Sequence, residues 1–110
     1  MSYLVYVTVP DTDEAEAIAR MLVEARLAAG VNLLPGMRSV YRWRGAVREA
    51  GECLLTAHVS RAAFGDFCAV VRQNHSHEVP CIVALPIGEG HAPFLSWIAE
   101  NSLPSKEREA

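Results

Sequence analysis

The chain has 110 residues, enough for one domain that buries a core without disulfide or metal staples. Apolar residues make up 51% and charged residues 21%, which excludes a disordered or collagen-like chain, and apolar runs such as Cys81 to Ile87 fall far short of a membrane span. The formal net charge of −3, from 13 acidic and 10 basic residues, argues against a dedicated nucleic-acid binder.

Residues Tyr3 to Val9 are β-branched and aromatic and end at Pro10, the pattern of a buried strand. Asp11 stands three residues before Glu14, which predicts a capping box, and the acids of the first turn suit the helix dipole. Ala15, Ile18, Ala19, Leu22, Arg26 and Ala29 follow helical spacing, so a helix is expected from about Thr12 to Leu27, with Gly30 as its stop. Val31 to Leu34 is a short apolar strand, interrupted by Pro35-Gly36 and continued from Met37 to Trp43. Arg44-Gly45 is the hairpin tip, although arginine tolerates positive φ poorly. Glu52 to Val59 returns as the partner strand. Ser60 caps a second helix with Phe64, Phe67, Cys68 and Val71 on its apolar face and Asn74 at its end. Val79 to Ile87 is the fourth strand, confined to an edge by Pro80 and Pro86. After a turn at Gly88 to Gly90, Pro93 opens a last helix carrying Phe94, Trp97 and Ile98.

The element order is therefore β-α-β-β-α-β-α. It predicts an α+β fold, the ferredoxin-like split β-α-β sandwich with an added C-terminal helix and a long hairpin between strands two and three. Right-handed crossovers place the first two helices on one face of a four-stranded antiparallel sheet. A single domain is expected over residues 1–101, and residues 102–110, which lack apolar periodicity, as a flexible tail. Cys53, Cys68 and Cys81 form no close pair, and Met1-Ser2-Tyr3 lacks the basic start of a signal peptide, so a reducing cytoplasm is expected.

Many functions share this fold, so function has to be argued from residues. RNA-recognition domains have the same element order and stack bases on aromatics of strands one and three. Here Tyr3 and Tyr6 point to opposite faces and Glu52 to Val59 has no aromatic, so RNA binding is rejected. In Arg38 to Arg44, the residues Arg38, Val40, Arg42 and Arg44 face one side and Ser39, Tyr41 and Trp43 the other. Such a ribbon suits anion or base binding, or a subunit interface anchored by Tyr41, Arg42 and Trp43 with the arginines paired to acids such as Glu49 or Glu52. Enrichment of Trp, Tyr and Arg at interfaces favours the second. The nine arginines against one lysine reflect either such fixed pairings or genome composition.

Asn74-His75-Ser76-His77-Glu78, followed by Cys81, is the densest set of metal-capable groups. In extended chain an H-x-H pair puts both imidazoles on one side, and imidazole with thiolate suits copper or zinc. Two histidines are half a site, so His75, His77, Glu78 and Cys81 are candidate ligands that a neighbouring subunit could complete, against a plain polar loop. No metal is expected to be required for folding. His91 is expected to hydrogen-bond at a helix start, Cys53 and Cys68 to pack in the core, and the face of His58 depends on register. No Ser/His/Asp constellation is legible, and Gly88-Glu89-Gly90 is too short for a dinucleotide loop, so no catalytic residue is assigned.

Several segments combine into a pattern: Val5 to Asp11, Leu27 to Asn32, Pro35-Gly36, Ser39 to Gly45, Glu78 to Pro80, Ala84 to Ile87 and Phe94 to Ile98. In order and spacing this strongly resembles the CutA family of divalent-cation tolerance proteins, over about residues 3 to 100. The resemblance implies a non-enzymatic ferredoxin-like subunit in a tight homotrimer, with the hairpin bearing Tyr41 and Trp43 at the interface. It implies binding of a divalent metal, copper before zinc. The implied trimer also looks like that of the PII signalling proteins, and the alternative reading is a ligand-sensing trimer that holds a small anion between subunits near Arg38, Arg42 or Arg44. In some members copper is attributed to a first-strand cysteine and a histidine pair; the matching positions here are Val7, Asn74 and His75, and only His75 is a ligand type.

Overall fold

In the computed structural model, which describes residues 1–104, the β-branched start of the chain forms strand β1, Ser2–Val9. It is followed by helix α1 (Thr12–Glu24), strands β2 (Gly30–Trp43) and β3 (Ala46–Ser60), helix α2 (Phe64–Asn74), strand β4 (Ile82–Pro86) and helix α3 (Ala92–Asn101). The four strands form one sheet in the order β2-β3-β1-β4, with every pair antiparallel. This is the split β-α-β arrangement that the element order predicts, and β4 lies at an edge, where its Pro86 is tolerated.

Strand alternation builds the core. Val5, Val7 and Val9 of β1 and Cys53, Leu55, Ala57 and Val59 of β3 are buried on one face. Ala15, Ile18 and Leu22 of α1, spaced by three and four, close over them with Phe67 and Val71 of α2. Burying a side chain such as Phe67 contributes about 1.5–3 kcal/mol. Cys68 packs against this cluster, where burial pushes its thiol up and the Arg72 charge partly opposes that. A thiol held protonated is poor as ligand or nucleophile, as expected of a core cysteine.

The ends of α1 show where local rules held and where packing overrode them. Asp11 caps the helix, its Oδ1 accepting from the Glu14 amide at 2.8 Å. Asp11→Ala should therefore lower stability by about 1 kcal/mol, measured by urea unfolding. The reciprocal half of the expected capping box is not used, because the Glu14 carboxylate turns to Ser76. The helix stops before Leu27, and Arg26 rather than Gly30 takes the left-handed turn, at φ 58°. The amides of Leu27 and Ala28 then both donate to the Leu22 carbonyl. Gly30 instead opens β2, where a Cβ would lie 3.0 Å from the Trp97 ring.

Further elements differ in extent from the expectation. Ser60 caps a 3₁₀ turn, Arg61–Ala63, and α2 begins only at Phe64. Strand β4 starts at Ile82, not Val79. The expected tail is held at its beginning: Ser102 is buried and the Leu103 amide donates to the Arg26 carbonyl at 2.8 Å. Residues 105–110 of that tail lie outside the described residues.

The β2–β3 hairpin carries the site outward. Its tip is Arg44-Gly45, at φ 49° and 79°, the two positive values of a type I′ turn. Between Leu34 and Met37 the register shifts by one residue, at Pro35-Gly36, with Gly36 at φ 80°. This bulge turns Met37, Ser39, Tyr41 and Trp43 to the face opposite α1 and α2. Helix α3 packs on one end of that face, where Phe94 and Trp97 meet the His58 ring edge-on at 5.2 and 6.5 Å between centroids. His58, which the sequence left open, thus lies under α3 with its Nδ1 buried and without a hydrogen-bond partner.

Candidate functional site

The loop from α2 to β4 is built around His75. Its ring is buried, Nε2–H donates to the Thr8 carbonyl at 2.8 Å, and Nδ1 accepts from the His77 amide at 3.0 Å. The tautomer follows from these two partners. Glu14 anchors the loop from the α1 side, one oxygen accepting from both the amide and the hydroxyl of Ser76 at 3.0 and 3.1 Å. The loop is thereby tied to the end of β1 and the start of α1, and His77 is held beside His75 with ring centroids 5.0 Å apart.

Across from this loop stands the hairpin arm. Arg44 donates to Glu78 at 3.1 Å and its guanidinium lies 5.5 Å from the Trp43 ring centre. Both partners of the ion pair are exposed, so it contributes little stability by itself; it marks where the hairpin tip meets the loop. Between arm and loop is a cavity of about 420 Å³ lined by Tyr41, Trp43, Glu52, His77, Glu78 and Cys81, among others. That volume falls within the range of small-molecule sites.

The structure gathers the predicted residues selectively. Tyr41, Trp43, His77, Glu78 and Cys81 converge on this cavity. His75 does not, since both its ring nitrogens are engaged by the protein. Arg42, paired across the hairpin with Val47, lies on the opposite side of the arm from Tyr41 and Trp43. Arg44 pairs with Glu78, not with the expected Glu49 or Glu52. Of the other two positions that the resemblance singles out, Val7 is buried in the core and Asn74 donates back to the Val70 carbonyl. His91 occupies the N-cap of α3 without the expected side-chain bond. Among the described residues, no three His, Cys, Asp or Glu side chains are placed to hold a metal ion.

Two contributors escaped the sequence reading. Thr8 acts through a backbone carbonyl, which no sequence signal marks. The role of Glu14 at Ser76 depends on a chain reversal that no local pattern shows, while Glu52, expected only as an arginine partner, lies across from Met37 beside the bulge and lines the cavity. With Arg44 committed to Glu78 and Arg38 and Arg42 on the other face, no group of free guanidinium ions faces the cavity, and the anion-binding expectation gains nothing from the geometry.

Comparison with known proteins agrees with the fold. Residues 3–101 match the family model described as CutA1 divalent ion tolerance protein. The chain is 46% identical over 102 residues to the divalent-cation tolerance protein CutA of Thermus thermophilus, covering 93% of this chain and 99% of that one. The solved Thermus structure superposes with a TM-score of 0.91. A structure titled as the periplasmic divalent cation tolerance protein CutA from Archaeoglobus fulgidus gives a TM-score of 0.89 at 37% identity, covering 93% of this chain and 99% of that one. The chloroplastic protein CutA of Arabidopsis thaliana is 37% identical over 92% of this chain, which spans 56% of its length. The chain likewise spans about half the length of the mammalian relatives it matches.

Proposed function

The chain belongs to the CutA1 divalent ion tolerance family, and from that premise we propose that it is a non-enzymatic, homotrimeric cation-tolerance protein that binds a divalent metal ion, copper(II) before zinc. The full-length family match carries this reading; the relatives are named for tolerance of cations and not for a reaction.

The trimer is supported by what the sheet leaves uncovered. Leu34, Tyr41, Val83 and Leu85 lie on the face opposite α1 and α2 and are about half exposed. β2 and β4 are the edge strands of the sheet, and an edge left unpaired invites pairing with another chain. A second and third copy of the chain cover it.

For the metal, one chain does not supply a complete donor set. His75 is spent on backbone groups, Glu78 on Arg44, and no three donors converge among the described residues. His77 and Cys81 offer an imidazole and a thiol that line one cavity, a pair suited to copper or zinc, and Glu78 joins them only by releasing Arg44. The remaining donors come from another subunit. His75 is then a positioning residue that holds the loop. A cytoplasmic location is proposed from the three unpaired cysteines; no helix among the described residues is long and apolar enough to cross a membrane.

Copper(II) titration of the purified protein tests the site. His77→Ala and Cys81→Ser should each weaken binding by about tenfold or more. Unchanged affinity in both would remove the metal from this loop. Sedimentation should give three times the chain mass, and a monomer at micromolar concentration would overturn the assembly.

A further inference from the structure

We propose that Arg44 gates the metal site: its guanidinium occupies the Glu78 carboxylate until a divalent ion displaces it, and the displacement frees the hairpin tip from the loop. This deepens the metal reading and rests on it, since the donors concerned are His77, Glu78 and Cys81. No open pocket is needed. The Arg44–Glu78 pair forms within one chain and leaves the aromatic face of the arm to the other copies.

Three observations carry it. The first is position. Glu78 follows His77 directly in the chain and lines the same cavity as His77 and Cys81, and this is the carboxylate that Arg44 holds at 3.1 Å. The second is charge. Arg44 is the only arginine or lysine among the described lining residues. A positive charge there repels an incoming cation and stands in for it at the carboxylate. The third is the residue type. Position 44 takes φ 49° in the type I′ tip, where asparagine before glycine is favoured and arginine is poor. The turn gains nothing from an arginine; what Arg44 contributes is its side chain, which meets Glu78 and lies 5.5 Å from the Trp43 ring centre.

The energetics suit exchange and not a permanent lock. The two side chains are 69% and 76% exposed, and an ion pair so placed is weak and opens easily. Attraction to the carboxylate grows with the charge of the cation, so a divalent ion held also by His77 and Cys81 outcompetes a guanidinium. Arg44 keeps the Trp43 ring as its second partner. Without metal the site is thus closed by its own counter-ion. With metal the tip loses its tie to the loop. By linkage, whatever draws Arg44 away from Glu78 strengthens metal binding.

The test is calorimetric titration of the intact, assembled protein with copper(II), comparing the parent with Arg44→Asn, Arg44→Lys, Glu78→Gln and the double variant Arg44→Asn/Glu78→Gln. Asparagine suits the turn, so Arg44→Asn removes the guanidinium without strain. It should tighten copper binding about fivefold, the opposite of what loss of a merely structural contact does. Arg44→Lys keeps the charge and should stay within about twofold of the parent. In the Glu78→Gln background Arg44→Asn should change nothing, because no carboxylate is left to release. Copper saturation of the parent should also speed hydrogen exchange at Trp43 and Ala46, the last pair of the hairpin. Circular dichroism and sedimentation confirm that each variant is folded and assembles as the parent does. Copper binding that Arg44→Asn leaves unchanged or weakens overturns the gate and leaves the metal reading standing. Equal tightening in the Glu78→Gln background overturns it too, since that is a long-range charge effect alone. Exchange at the tip that copper leaves unchanged overturns the release of the arm. Absence of binding in the parent and in every variant overturns the metal reading, and the gate with it.

Discussion

Ser102→Ala should lower the unfolding free energy by about 3 kcal/mol, read from urea denaturation at fixed chain concentration. Ser102 is 1% exposed and joins three parts of the chain. Its hydroxyl donates to the Leu27 carbonyl and accepts from the Ser60 amide, and its own carbonyl accepts from the Ser60 hydroxyl at 2.7 Å. Alanine leaves the buried Leu27 carbonyl and the half-buried Ser60 amide without these partners. Each such group costs about 1–3 kcal/mol. The Arg26 turn, the end of β3 and the end of α3 should loosen together, seen as faster hydrogen exchange at Leu103, whose amide is bonded to Arg26. A loss below 1 kcal/mol would mean that the three segments hold without this knot.

His75→Ala is expected to cost about 2–4 kcal/mol, again by urea denaturation. Two effects add here: the loss of bonds to Thr8 and His77, and the cavity left by a buried ring. His75→Phe separates them. It fills the volume but restores neither bond, so it should recover part of the loss and leave about 2 kcal/mol. In both variants the His77 amide loses its acceptor and should exchange faster with solvent. An alanine variant as stable as the parent would show that Glu14 alone fixes the loop through Ser76.

The fold was legible because its signals are local. A β-branched and aromatic run marked β1, three-and-four spacing marked α1 and α2, and Asp11 and Ser60 marked two starts that the structure uses as caps. Arg44-Gly45 is an instructive case. Arginine is a poor residue at φ 49°, yet the turn forms because two-residue tips suit the strand twist and the side chain gains Glu78 and Trp43 once the arm bends. The helix end was misjudged for the same kind of reason. Gly30 has the flexibility of a stop, but Arg26 makes the left-handed turn, held by carbonyl and amide partners that come from Leu22 and Leu103.

The candidate site was half legible. Residue types in the 74–81 segment and in the arm drew attention to His77, Glu78, Cys81, Tyr41 and Trp43, and all five line one cavity. What composition could not convey is that both ring nitrogens of His75 are consumed internally.

The sequence by itself therefore determined the elements, their order and the apolar faces of α1 and α2, since these follow from side-chain periodicity and turn chemistry within a few residues. Tertiary structure alone decided which way the arm faces. One extra residue at Pro35-Gly36 reverses the side to which Tyr41 and Trp43 point, because strand side chains alternate with a period of two. Without that bulge the two rings would lie on the helix side with Val31 and Leu33. With it they meet a loop more than thirty residues away in sequence, through an Arg44–Glu78 pair that no local pattern encodes.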